Sequence, residues 1–168
     1  MNKVPLACLA AAGVLGLSVL PASAALNSTD RDFMHKAASG GMTEVQEAQL
    51  AQQRATSPQV KQFAARMIDD HTQANNQLKQ IARQHKVTLP ARPDGKNQAE
   101  EQKLRGLNGA AFDQAYAQAE LRDHQETVAL FQQEAASGQD PDLKAFAQQT
   151  LPTLQQHLQM AQALNTQR

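Results

Sequence analysis

Two prolines constrain this chain more than any other feature. Pro58 follows Ser57 and Pro141 follows Asp140. Each pair reads as a helix-capping side chain followed by a residue whose missing N–H costs nothing in the first helical turn. On both sides of each turn, apolar residues recur at spacings of three and four. The chain therefore reads as two long helical hairpins. Composition agrees: 30 Ala and 25 Gln among 168 residues, with only 4 % aromatics, favour helix and disfavour sheet.

The first hairpin joins a helix over about 30–55, carrying Phe33, Ala37, Ala38, Met42, Val45 and Ala48, to one over 58–86, carrying Val60, Phe63, Ala64, Met67, Leu78 and Ile81. The second joins 110–137, with Phe112, Tyr116, Leu121, Val128 and Phe131, to 141–165, with Leu143, Phe146, Leu151, Leu154 and Leu158. Between them, residues 87–108 hold Pro90, Pro93, Gly95, Gly106 and a short polar helix near 98–104. A connection this long inside a compact domain acts as a crossover that lets consecutive helices run parallel. The expected fold is all-α, a ferritin-like four-helix bundle of two antiparallel hairpins forming a single domain over 25–168. An internal repeat supports it: Pro58-Gln-Val60-Lys61-Gln-Phe63-Ala64 resembles Pro141-Asp-Leu143-Lys144-Ala-Phe146-Ala147 at an offset of 83 positions.

Residues 1–24 stand apart. Lys3, an apolar run from Val4 to Leu20 and Ala22-Ser23-Ala24 form the three parts of a secretory signal peptide. An uncleaved anchor is the alternative, although the run is short for a membrane span. Cleavage near Ala24 would remove Lys3 and Cys8 and leave a thiol-free protein, periplasmic or secreted. No later stretch is apolar enough to span a membrane. The 16 basic and 16 acidic residues balance, so no electrostatic footprint for nucleic acid exists. The single Cys excludes a disulfide framework or Cys-rich metal site. Gln-rich outer faces read as solvated surface that could also serve a homo-oligomer; no protein partner can be named.

The informative residues are polar ones on faces that should be buried. Glu44, His71, His124 and His157 each lie on a different helix among small or apolar neighbours. Glu44 and His71 are equidistant from the first turn, and His124 and His157 from the second, so each pair sits level in its antiparallel hairpin. Three imidazoles and a carboxylate converging in a helical core suit Zn, Cu, Fe or Mn. Glu47 and Glu120, one turn from Glu44 and His124, could add ligands. Asp70 and Asp123 could orient a His on an adjacent helix by accepting its second N–H. The alternative is that the same residues form a metal-free polar network that fixes helix register. No Ser-His-Asp spacing, nucleophilic Cys or phosphate loop is present, so no catalytic residue and no enzymatic activity are assigned. Gly40-Gly41 should permit close helix approach, and Pro152 should bend its helix. His35 and His85 lie near helix ends and read as solvated.

Asp32-Phe33, Ala37-Ala38-x-Gly40-Gly41-Met42-x-Glu44-Val45, Phe63-Ala64-x-x-Met67-x-x-Asp70-His71, Leu89-Pro90, Phe112-Asp113-x-x-Tyr116, Asp123-His124, Phe146-Ala147 and Leu151-Pro152-x-x-x-x-His157-Leu158 together resemble an exported bacterial family, domain-of-unknown-function family 4142, often labelled outer-membrane proteins. The resemblance spans about residues 28–164. It implies a ferritin-like bundle with Glu44, Asp70, His71, Asp123, His124 and His157 at family positions, and it brings no established activity. Two functions remain open: a metal-binding or metal-dependent redox protein of the cell envelope, and a non-catalytic interaction or stress-response module.

Overall fold

The computed structural model describes residues 26–166, so the expected export signal at 1–24 lies outside the described residues. The described chain is all-helical: α1 (Ser28–Arg54), α2 (Pro58–Gln84), α3 (Gly95–Arg105), α4 (Gly109–Ser137) and α5 (Pro141–Thr166). The expected count of four helices thus becomes five. The crossover segment is a full 11-residue helix beginning at Gly95, because Asp94 caps it by accepting the Asn97 N–H at 3.0 Å. Asn27 caps α1 through the Asp30 N–H at 2.9 Å, which starts that helix two residues ahead of the sequence estimate. Asp140 caps α5 through the Leu143 N–H at 3.0 Å. No helix among the described residues is long and apolar enough to cross a membrane.

Contacts between the long helices give their directions. Phe33 near the start of α1 packs on Phe131 near the end of α4, ring centroids 5.0 Å apart. At the other end, Arg54 donates to Asn108 Oδ1 at 3.0 Å. α1 and α4 are therefore antiparallel. α2 and α5 are antiparallel as well, since Gln77 meets Gln149 and Arg66 meets Gln156. It follows that α2 and α4 run in the same direction, which the crossover through α3 makes possible.

The two hairpins hold each other by their turns. Asp30 on α1 accepts the Gln139 and Asp140 N–H groups at 3.2 and 2.9 Å. Asp113 on α4 accepts the Thr56 and Ser57 N–H groups at 3.1 and 2.9 Å. Asp30 and Asp113 are 83 positions apart, the offset of the sequence repeat, and so are the turn residues they bind. Aromatic packing repeats in step: Phe33 meets Phe146 at 6.4 Å, and their counterparts Tyr116 and Phe63 meet at 6.2 Å. The repeat is thus a pseudo-symmetry of the packed structure. Each carboxylate satisfies backbone donors that a turn leaves without partners.

The apolar interior is split in two. One cluster gathers Phe33, Met34, Leu78, Phe131, Leu143 and Phe146. The other gathers Ala48, Phe63, Met67, Leu104, Phe112 and Tyr116. Between them every long helix contributes buried polar residues: Glu44 and Glu47 from α1, His71 from α2, Glu120 and His124 from α4, and His157 from α5. The two glycines beside this layer differ. A Cβ on Gly41 would collide with Asn75 Oδ1, whose amide donates to the Gly41 carbonyl at 2.8 Å. A Cβ on Gly40 would meet nothing.

Gly41→Ala should therefore cost about 1–3 kcal/mol, because Asn75 must swing away and forfeit its bond. Gly40→Ala should be neutral or stabilise by roughly 0.5–1 kcal/mol through helix propensity. Urea unfolding of both variants checks the contrast, and equal effects would remove the close approach as its cause.

Candidate metal centre

Three imidazoles form the middle of the polar layer. Ring centroids are 5.7 Å apart for His71 and His124, and 5.4 Å for His71–His157 and for His124–His157. One ring nitrogen from each lies within 4.8 Å of the others. The Phe63 ring lies 6.3 Å from His124 and 6.4 Å from His157 and closes one side. Leu151–Pro152 does not interrupt α5, which carries His157 onward into the layer.

Two of the rings are oriented through one nitrogen. His157 Nε2 is 2.8 Å from Asp70 Oδ2 across the α2–α5 contact, and Asp70 also accepts from Arg66 at 3.2 Å. His124 Nδ1 is 2.9 Å from the Glu120 carbonyl oxygen. Both acceptors call for an N–H, which leaves the lone pair on His157 Nδ1 and His124 Nε2. Those two atoms, with His71 Nε2, have no hydrogen-bond partner although each is buried. Burial, and then the neighbouring His124 and His157, lower the pKa of His71 well below its ordinary value. Burial lowers His157 too, against the opposing hydrogen bond from Asp70. Neutral imidazoles with free lone pairs are the form that binds a metal ion.

The carboxylates lie beside His124. Glu44 Oε1 is 3.9 Å and Glu120 Oε2 3.4 Å from His124 Nδ1. Glu44 Oε2, Glu47 Oε1, both Glu120 oxygens and the Tyr116 hydroxyl are buried without partners. Burial and then Glu120 push the Glu44 carboxyl well above the ordinary range. The same causes in the same order push Glu47 up to about 9. A cavity of about 30 Å³ is lined by Glu44 and His71 together with Gly41, Ala74 and Leu154.

The two second-sphere candidates part company. Asp70 receives a histidine N–H; Asp123 receives none. Burial and Glu120 raise Asp123 to about 6, and it lines a surface cleft of about 370 Å³ with Glu44, Asp94, Lys96 and Glu126. The reading of His85 as solvated is corrected. Its side chain is 4 % exposed and lies 3.3 Å from Asp140 and 3.6 Å from Asp142, because the start of α5 folds against the end of α2. The apolar spacing places Tyr116 only in the core; its position one turn before Glu120 is the sequence signal of its polar role.

A sequence profile described as "Domain of unknown function (DUF4142)" matches residues 17–164. The chain belongs to this family. No curated protein matches this DUF4142 chain. Among solved structures it is similar to a DUF305 fragment from Deinococcus radiodurans, with a TM-score of 0.75 and 12 % identity over 85 % of this chain and 99 % of that one. It is also similar to CopM in its Cu(II)-bound form, with a TM-score of 0.69 and 16 % identity over 81 % and 95 % of the two chains. At such identities the likeness is one of helical fold.

The polar layer gives the metal-free DUF4142 chain a two-sided pH response. Between the ordinary glutamate value of 4.5 and about 9, folded Glu47 keeps a proton that the unfolded chain has lost. Stability therefore falls as pH rises through that window. Below the ordinary histidine value of 6.5, the unfolded chain takes up a proton that folded His71 refuses, so stability falls with acidification. Thermal unfolding of metal-free protein should peak on the mildly acidic side of neutrality. Glu47→Gln should flatten the alkaline limb only; an unchanged limb would contradict the shift.

Proposed function

We propose that this protein is an exported, ferritin-like four-helix bundle, with α3 in its crossover, that holds a transition-metal ion in the cell envelope. His71, His124 and His157 would bind the ion, with Glu44 across a small cavity that it lines together with His71. One observation carries the reading: three buried imidazoles each have a ring nitrogen without a partner, while Asp70 and the Glu120 carbonyl hold the opposite nitrogens of two of them. A buried polar atom left unpaired costs about 1–3 kcal/mol, so three facing orphans favour a shared ligand over a network that exists only to set register. Neutral nitrogen donors without thiolates favour Cu(II) or Zn over the harder Fe and Mn. CopM, which shares the fold and is seen with Cu(II), lends support to copper. The signal-like residues 1–24 support the periplasmic or secreted location. Bound metal would place charge among the imidazoles; the chain itself contributes orientation and exclusion of water. No residue is assigned to catalysis.

Elemental analysis of untagged protein, purified and reconstituted in turn with Cu, Zn, Fe and Mn, tests the reading. Stoichiometric metal that disappears in a His71→Ala, His157→Ala double variant is the expected result, and no retained metal under any condition would sink it. Asp70→Ala should weaken affinity roughly 10- to 100-fold by freeing the His157 ring, measured by competition with a chromophoric chelator.

A further inference from the structure

The carboxylates of the layer are not accounted for by the imidazole site. Glu44, Glu120 and His124 each place one donor atom within 4.8 Å of the other two, and all three residues are buried. Glu47, one turn from Glu44, is 1 % exposed. Among the described residues, no Lys or Arg pairs with any of the three glutamates. Lys96 pairs with Glu126 and Arg122 with Glu100, while Lys36 lines the cleft with Glu44 without an ion pair to it. The fully buried Tyr116 hydroxyl, also without a partner, sits one turn before Glu120 and feels the charge of all three carboxylates.

Packing alone does not ask for these acids. The positions related to Glu44, Glu47 and Glu120 by the 83-residue repeat are the uncharged Thr127, Leu130 and Ala37. Replacing buried ionisable groups by apolar ones of similar volume is commonly neutral or stabilising. The acids are also confined to one side, α1 and α4. That side carries the 370 Å³ cleft, where Glu44 forms part of the wall and Asp94, Asp123 and Glu126 line the way to solvent.

We infer that Glu44 and Glu120, with the charge of Glu47 beside them, form a second cation site next to His124 that takes a hard divalent ion such as Mn²⁺ or Fe²⁺ from the α1–α4 cleft. Carboxylate oxygens suit such ions better than the all-nitrogen triad does. His124 turns its Nε2 lone pair to the imidazole site and keeps its Nδ1 proton on the Glu120 carbonyl, so it stands between the two sites and ligates only the first. The inference deepens the metal-binding reading and rests on it for the identity of the adjoining site.

The test loads the full chain with one equivalent of Zn²⁺ and then titrates Mn²⁺, followed by calorimetry, electron paramagnetic resonance and elemental analysis. The expected result is one Zn²⁺ and one Mn²⁺ per chain. A Glu47→Gln, Glu120→Gln double variant should lose the Mn²⁺, a drop of at least tenfold in affinity, and keep the Zn²⁺. The His71→Ala, His157→Ala variant should keep the Mn²⁺. Circular dichroism confirms that each variant folds, and Glu120→Gln alone provides a milder change should the double variant fail to fold. Zn²⁺ bound without any Mn²⁺, or Mn²⁺ unaffected by the Gln substitutions, would overturn the second site and leave the imidazole site standing. Mn²⁺ bound to a chain that never takes Zn²⁺ or Cu²⁺ would instead overturn the imidazole site.

Discussion

Everything in the interior depends on the exchange of carboxylates between the hairpins. A turn between two long helices leaves backbone N–H groups without partners, and here each turn is completed by an aspartate from the opposite hairpin. The bonds lie at both ends of the bundle and so fix the axial register of the pair of hairpins. A slip of one helical turn would move a side chain by about 5.4 Å, enough to take the His71–His124 pair out of reach. The imidazole triangle is therefore a consequence of contacts made far from it. Because each clamp is anchored in the other half, neither hairpin keeps its own turn satisfied once the other unfolds.

Between those ends, an apolar core interrupted by a polar layer is an unfavourable way to build a bundle. Among the described residues, Glu44, Glu47, His71, Glu120, His124 and His157 each bury at least one side-chain atom without a hydrogen-bond partner. Two regions of different chemistry share it, nitrogen donors toward α2 and α5 and oxygen donors toward α1 and α4, and His124 stands between them. The arrangement also departs from the repeat. Gly41 and Ala74 stand where the second hairpin has His124 and His157, so one half supplies clearance where the other supplies rings.

Much of this was legible in the sequence because it follows from local rules. The Ser57-Pro58 and Asp140-Pro141 starts and the three- and four-residue spacing define four helices, and distance from each turn places the histidines level. The short polar helix of the crossover was visible, but its start at Gly95 depends on Asp94. That residue is held by Ser39, 55 positions away, and helical periodicity carries no such information. Asp70 and Asp123 look alike beside their histidines, yet only Asp70 faces a ring on a neighbouring helix. Their difference is set by which groove each helix turns toward. His85 was misread for a related reason: closeness to a helix end says nothing about what the next element folds over. Asp30 and Asp113 share the repeat offset and could have been found by extending the repeat upstream of the Pro motifs.

The crossover helix has a role in time as well as in space. Of its 11 residues only Leu104 is buried, and the ion pairs that tie it to α4 are exposed ones, worth little each and weakened by salt. Segments with so little apolar anchorage open at far lower free energy than the global unfolding transition. The carboxylate side of the layer thus lies behind the described helix with the fewest buried residues, and the imidazole side behind the long helices α2 and α5, which bury eight and six. Exchange with solvent should accordingly be directional and sensitive to ionic strength, at a rate governed by the docking of a single short helix.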